Sequence, residues 1–122
     1  MKYDIAGALS ALKPGAEWVL RGNEFSGLEW LDASQTAPSE SEITTKITAM
    51  DNAEAARLLR VERDAKLAGL DWEVTKAHSK GEAVASELAT YMQALRDLPA
   101  GASPTTDALG DLVASSVTWP SR

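Results

Sequence analysis

At 122 residues, with 44% hydrophobic and 25% charged side chains, the chain has the composition of a folded protein sized for one domain or two small subdomains. It contains no cysteine, which excludes disulfides, thiolate metal sites and a cysteine nucleophile. A net charge of -6 without any lysine- or arginine-rich stripe opposes binding to phosphate backbones, so nucleic acid is not an expected partner.

The N-terminal Met1-Lys2-Tyr3-Asp4 lacks the basic region and apolar core of a signal peptide. No apolar run approaches the roughly 20 residues that span a bilayer. The expectation is a soluble protein of a reducing cytoplasm, with no membrane partner.

Tyr3, Ile5, Ala8, Leu9 and Leu12 fall at near-helical spacing, and Lys13-Pro14-Gly15 stops the run, which predicts a short helix. Glu17 to Arg21 and Leu28 to Asp32 are aromatic and aliphatic runs around a loop with Gly22 and Gly27 at its ends, the pattern of a β-hairpin. A symmetric turn sets Trp18 opposite Trp30 and Leu20 opposite Leu28, all on one face. Two strands alone are marginal in water, so that face must pack on a helix or a partner.

Ala33 to Pro38 reads as a polar linker. Ser39-Glu40-Ser41-Glu42 reads as a capping box ahead of Ile43, Ile47 and Met50 at helical spacing. Asp51-Asn52 is a potential interruption, but strong helix formers resume at Ala53 and continue to about Leu70. One long helix and two abutting helices are both open. Asp71-Trp72 closes the segment, and the polar stretch Lys76 to Gly81 reads as a loop.

Val84, Leu88, Tyr91, Leu95 and Leu98 then recur at i, i+4, i+7, i+11 and i+14, which predicts an amphipathic helix ended by Pro99 and Gly101. From Ala100 the composition turns to small and polar residues. An irregular tail is expected there, anchored by Leu109, Leu112, Val113 and Val117. The expected fold is α+β: a short N-terminal helix, a β-hairpin, a long helix, and a C-terminal amphipathic helix with an irregular tail. The expected divisions are 1–36, 39–98 and 99–122.

Reactive constellations are absent from the pattern. His78, the single histidine, has no nucleophile or orienting carboxylate in a recognisable motif and reads as a solvated loop residue. Glu40 with Glu42, and Glu62 with Asp64, lie two apart, so on a helix they point to different faces and make poor dyads. No calcium-loop spacing occurs, and Gly22, Gly27 and Gly81 assemble no phosphate loop. Neither catalysis, a cofactor nor a metal is expected. Among the four tryptophans, Trp18 and Trp30 read as core, whereas Trp119 in its sparse tail reads as a docking contact.

Two blocks resemble phage tail fibre assembly chaperones. The first runs from Leu12-Lys13-Pro14-Gly15-Ala16-Glu17-Trp18-Val19-Leu20-Arg21-Gly22 to Leu28-Glu29-Trp30-Leu31-Asp32. The second holds Arg63-Asp64, Asp71-Trp72-Glu73-Val74-Thr75-Lys76-Ala77, the run Tyr91-Met92-Gln93-Ala94-Leu95-Arg96-Asp97-Leu98-Pro99, and Trp119-Pro120. The second is similar to the C-terminal block of the tail assembly chaperone family. The resemblance implies a non-enzymatic helper in the host cytoplasm that binds a tail fibre polypeptide and promotes its folding or trimerisation. The alternative it leaves open is a structural virion protein, a fibre cap or adaptor retained on the tail. Self-association is also left open. The candidate partner-binding residues are Trp72, Val84, Leu88, Tyr91, Leu95, Leu98 and Trp119.

Overall fold

The computed structural model describes residues 2–122. Helix α1 (Ile5–Leu12) begins where the Asp4 carboxylate accepts the Gly7 amide at 2.9 Å, satisfying one of the free amides of the first turn. It ends where Pro14 and Gly15 turn the chain, Gly15 at φ +76. Strands β1 (Trp18–Leu20) and β2 (Leu28–Trp30) pair antiparallel with Trp18 opposite Trp30 and Leu20 opposite Leu28. This is the register that a symmetric turn dictates. Val19 and Glu29 face solvent while the other four side chains are half-buried.

The hairpin does not stand alone. Its apolar face joins Ile5, Ala8, Leu9 and Leu12 of α1 and Ile43 and Ile47 of the next helix in one hydrophobic cluster, in which Leu9 and Ile43 are fully buried. Trp18 and Trp30 pack against that cluster, as core side chains. Trp30 also satisfies its indole N–H on the Gln35 carbonyl at 2.9 Å.

Helix α2 (Glu40–Ala68) is continuous over 29 residues. Ser39 caps it by accepting the Glu42 amide at 3.1 Å. Glu42 reaches back to the Ser39 hydroxyl at 3.3 Å, rather than to the backbone amide of a standard capping box. Asp51-Asn52 leaves the helix intact, and the Asp51 carboxylate, largely covered by the N-terminal segment, accepts the Tyr3 amide and pairs with Lys2 at 3.7 Å. The choice left open by the sequence is thus resolved as one helix. Its first half packs on α1, and its second half carries the buried Ala55 and Leu59.

Two residues later the chain re-enters helix as α3 (Asp71–Ser79), which corrects the expected loop at Lys76 to Gly81. Asp71 and Glu73 lie in its first turn and Lys76 and His78 in its last, so the charges oppose the helix dipole favourably. Gly81, at φ +68, terminates it: Glu82 donates to the Ala77 carbonyl and Gly81 to the His78 carbonyl, the paired bonds of a Schellman motif.

Helix α4 (Ser86–Gly101) packs on α2 and buries Leu88, Met92 and Leu95. Val84 precedes this helix, so its place on the expected periodic face is corrected to a connecting loop. The helix ends at Gly101, one of the two residues expected to stop it, but runs through the other. Pro99 sits within the last turn, where its missing amide costs one bond only two residues from the end.

The tail is irregular but tied. Thr106 bridges Leu112, and Asp107 accepts the amides of Leu109 and Asp111. A 3₁₀ turn at Ala114–Ser116 leads to the buried Val117. Leu109, expected as an anchor, is instead 73% exposed in the turn between Thr106 and Leu112.

Candidate docking surface

Helix α3 stands out from the α2–α4 packing and presents Trp72, 62% exposed. One helical turn on, the Lys76 ammonium lies 5.8 Å from the centre of the Trp72 ring, within cation–π reach. An open depression of about 260 Å³ runs beside this pair, lined by Ala77 of α3, Ala85 of the connecting loop and Leu88 together with the charged Glu73, Lys80 and Glu82. Its far wall is Arg122.

Arg122 returns from the tail to bridge two helices. It donates to Glu73 of α3 at 2.8 Å and to Glu87 of α4 at 2.6 Å, splitting its guanidinium between two carboxylates. The Glu87 carboxyl is held below the usual range, chiefly by its hydrogen bond to Arg122. The Arg122 guanidinium is raised in turn by Glu87 and then Glu73. Beyond Arg122 lies a second depression of about 340 Å³, lined by Thr90, Tyr91 and Ala94 of α4.

The predicted partner-binding residues divide between surface and interior. Trp72 is exposed; Tyr91, Leu98 and Val84 are half-buried. Leu88 is 3% exposed and Leu95 is fully buried, so both spend their apolar surface inside the molecule. Trp119 is half-buried, with Lys66 of α2 set 4.9 Å from its ring centre. The structure thus brings Trp72 to one groove, which reaches down to the buried Leu88, and Tyr91 to its neighbour, and places Leu95 in the packing beneath.

Glu73, Glu87 and Arg122 are the members that sequence reasoning missed. They are 49 and 35 residues apart, and no local spacing announces such a pairing. His78 is exposed in the last turn of α3. Among the described residues no group of three or more His, Cys, Asp or Glu is placed to hold a metal ion. No described helix is long and apolar enough to cross a membrane. A larger depression of about 500 Å³ lies at the other end of α2, between Ile5, Phe25, Ile43 and Ile47, whose side chains belong to the N-terminal cluster.

Fold and surface together define a small α+β protein whose accessible chemistry is an exposed aromatic groove and ion pairs that join its elements. The phage tail assembly chaperone protein family matches residues 56–122, more than half of the chain, and the chain belongs to that family. The match begins in the second half of α2 and takes in α3, α4, the tail and the whole of both α4-flanking depressions. Membership points to a non-enzymatic role and implies a phage tail protein as the partner. No curated protein and no solved structure matches the chain.

Proposed function

We propose that the protein binds the tail fibre polypeptide in the host cytoplasm, before the fibre trimerises, and promotes its folding and assembly. The observation that carries this reading is Trp72, a large aromatic left 62% exposed beside an open groove inside the family-matched region. Tryptophan is among the side chains most enriched at the hot spots that dominate binding energy once an interface forms. Unassembled β-rich fibre chains expose apolar surface and unpaired edges, and masking that surface suppresses aggregation while the slow folding completes.

Co-expression with the fibre polypeptide tests it. The expected result is soluble fibre trimer in the presence of this protein, falling when Trp72 is replaced by alanine by about tenfold or more, the scale of a hot-spot truncation. Equal trimer yield without this protein would sink the proposal. Mass spectrometry of purified particles supplies the second readout. A transient helper is missing from them, whereas stoichiometric presence replaces the chaperone reading with that of a retained tail component.

A further inference from the structure

Residues 118–122 are held in an unusual way. Among the described residues, no hydrogen bond to the backbone of 118–122 fixes this segment, although the preceding stretch is bonded through Val117. Its attachments are side chains: Trp119 against Lys66 of α2, and the Arg122 fork on Glu73 and Glu87. The fork is partly open to solvent, with Arg122 37%, Glu73 24% and Glu87 56% exposed at their side chains.

The position of the fork gives it a consequence. Arg122 lines both the depression beside Trp72 and the one beside Tyr91, so its side chain is the partition between them. Glu73 and Glu87 come from different helices, and each loses its cation if the guanidinium leaves. Two carboxylates would then face the same vacated space and repel each other, which favours a wider opening between α3 and the start of α4.

We propose that 118–122 is a releasable strap, latched by Arg122 on Glu73 and Glu87, and that release joins the two depressions into one trough running from Trp72 past Leu88 to Tyr91. In the closed state the protein's own Arg122 fills the middle of that trough. Loss of a solvent-accessible latch demands little, because exposed ion pairs are individually weak and are screened by salt. The strap therefore closes the free protein and yields readily. The use of the open trough for docking rests on the assembly reading above; the latch itself rests on geometry alone.

The free protein tests the latch. Backbone ¹⁵N heteronuclear NOEs at low salt should give residues 118, 119, 121 and 122 the values of helical residues. Arg122→Ala should drop them to those of a mobile segment. It should also raise the fluorescence of the apolar probe 1-anilinonaphthalene-8-sulfonate, as the open population grows on the order of fivefold with the loss of two exposed ion pairs. The double variant Glu73→Gln with Glu87→Gln removes the latch from the other side and should give the same loss of order. Raising the salt should move the parent protein in the same direction.

Strap NOEs that stay helix-like in both the Arg122 and the double variants, with folding intact by far-ultraviolet circular dichroism, overturn the latch whatever any partner does. A strap that is released, while capture of the fibre polypeptide by Arg122→Ala shows no gain over the parent, leaves the latch standing and overturns its part in docking. Failure of the fibre to need the protein at all is read separately, in the co-expression experiment.

Discussion

Asp32 accepts four hydrogen bonds, from the amides of Glu17, Ser34 and Gln35 and from the Ser34 hydroxyl. The Glu17 amide contributes most, and together these donors lower the carboxyl from an ordinary value of 3.8 to about 2. One side chain thereby pins the end of the hairpin to its beginning and to the linker that leads to α2. The sign of the linkage follows from the depressed value. The carboxylate form is favoured by the fold, so its contribution is complete above the unfolded value near 4 and is lost as pH falls through about 2. Asp32→Asn should therefore lower the melting temperature at neutral pH, and the gap between parent and variant should close between pH 4 and pH 2. Thermal melts across that range decide it. A gap that stays constant to pH 2 would show that the charge is irrelevant and that only the acceptor geometry counts. The nearby glycines illustrate a different residue-level constraint. Gly22 needs its freedom for φ +77, with open space around it, whereas a Cβ on Gly27 would collide with the Arg21 carbonyl.

Among the elements, the hairpin and α3 show where sequence is informative and where it is not. Two short apolar runs on either side of a loop bounded by glycines specify both the hairpin and its register, because slipping one strand by one residue would turn its own pair, Trp18 and Leu20 or Leu28 and Trp30, to solvent. Helix α3 carries no such stripe. Its half-buried positions include Val74 and Ala77 among charged neighbours, so polarity alone suggests a loop. The available signal was punctuation: acids at the start, bases at the end and Gly81 just beyond. The shift at Val84 has a related cause. Met92 supplies the buried position between Leu88 and Leu95, so the buried stripe starts inside α4 and needs no earlier member. The latch was illegible for a third reason: Arg122 meets Glu73 and Glu87 only after α3, α4 and the tail have folded back on one another. Gly81 carries a prediction at this scale. Alanine there must adopt φ +68, at a cost of about 1–2 kcal/mol for a left-handed non-glycine residue. Hydrogen exchange should accelerate at Gly81→Ala in the last turn of α3, where the Schellman bonds close, while Leu9 and its neighbours in α1 remain as protected as before. Equal loss of protection in both places would mean that α3 is not the unit the glycine terminates.

For the whole molecule the decisive feature is that α2 belongs to both packed regions. Its first half contributes Ile43 to the cluster with α1 and the hairpin, and its second half contributes Ala55 and Leu59 where α4 packs. A helix in water gains little from propensity alone, so each half of α2 depends on what packs against it. Loss of either region leaves the shared helix with half its support, which couples the two ends. Leu9 at one end and Leu95 at the other are both fully buried, and truncating either to alanine should cost about 2–5 kcal/mol through lost contacts and the cavity left behind. The coupling makes a sharper statement than the magnitude. Leu9→Ala and Leu95→Ala should each move one single unfolding transition in urea, with exchange of α2 amides accelerated along the helix in both variants. Two separated transitions, with Leu9→Ala shifting only the first and Leu95→Ala only the second, would show two independent units that merely share a chain. The distinction bears on assembly. A cooperative frame gives α3 and the Arg122 strap a firm base against which to open, so that the movable parts are confined to the face that carries Trp72.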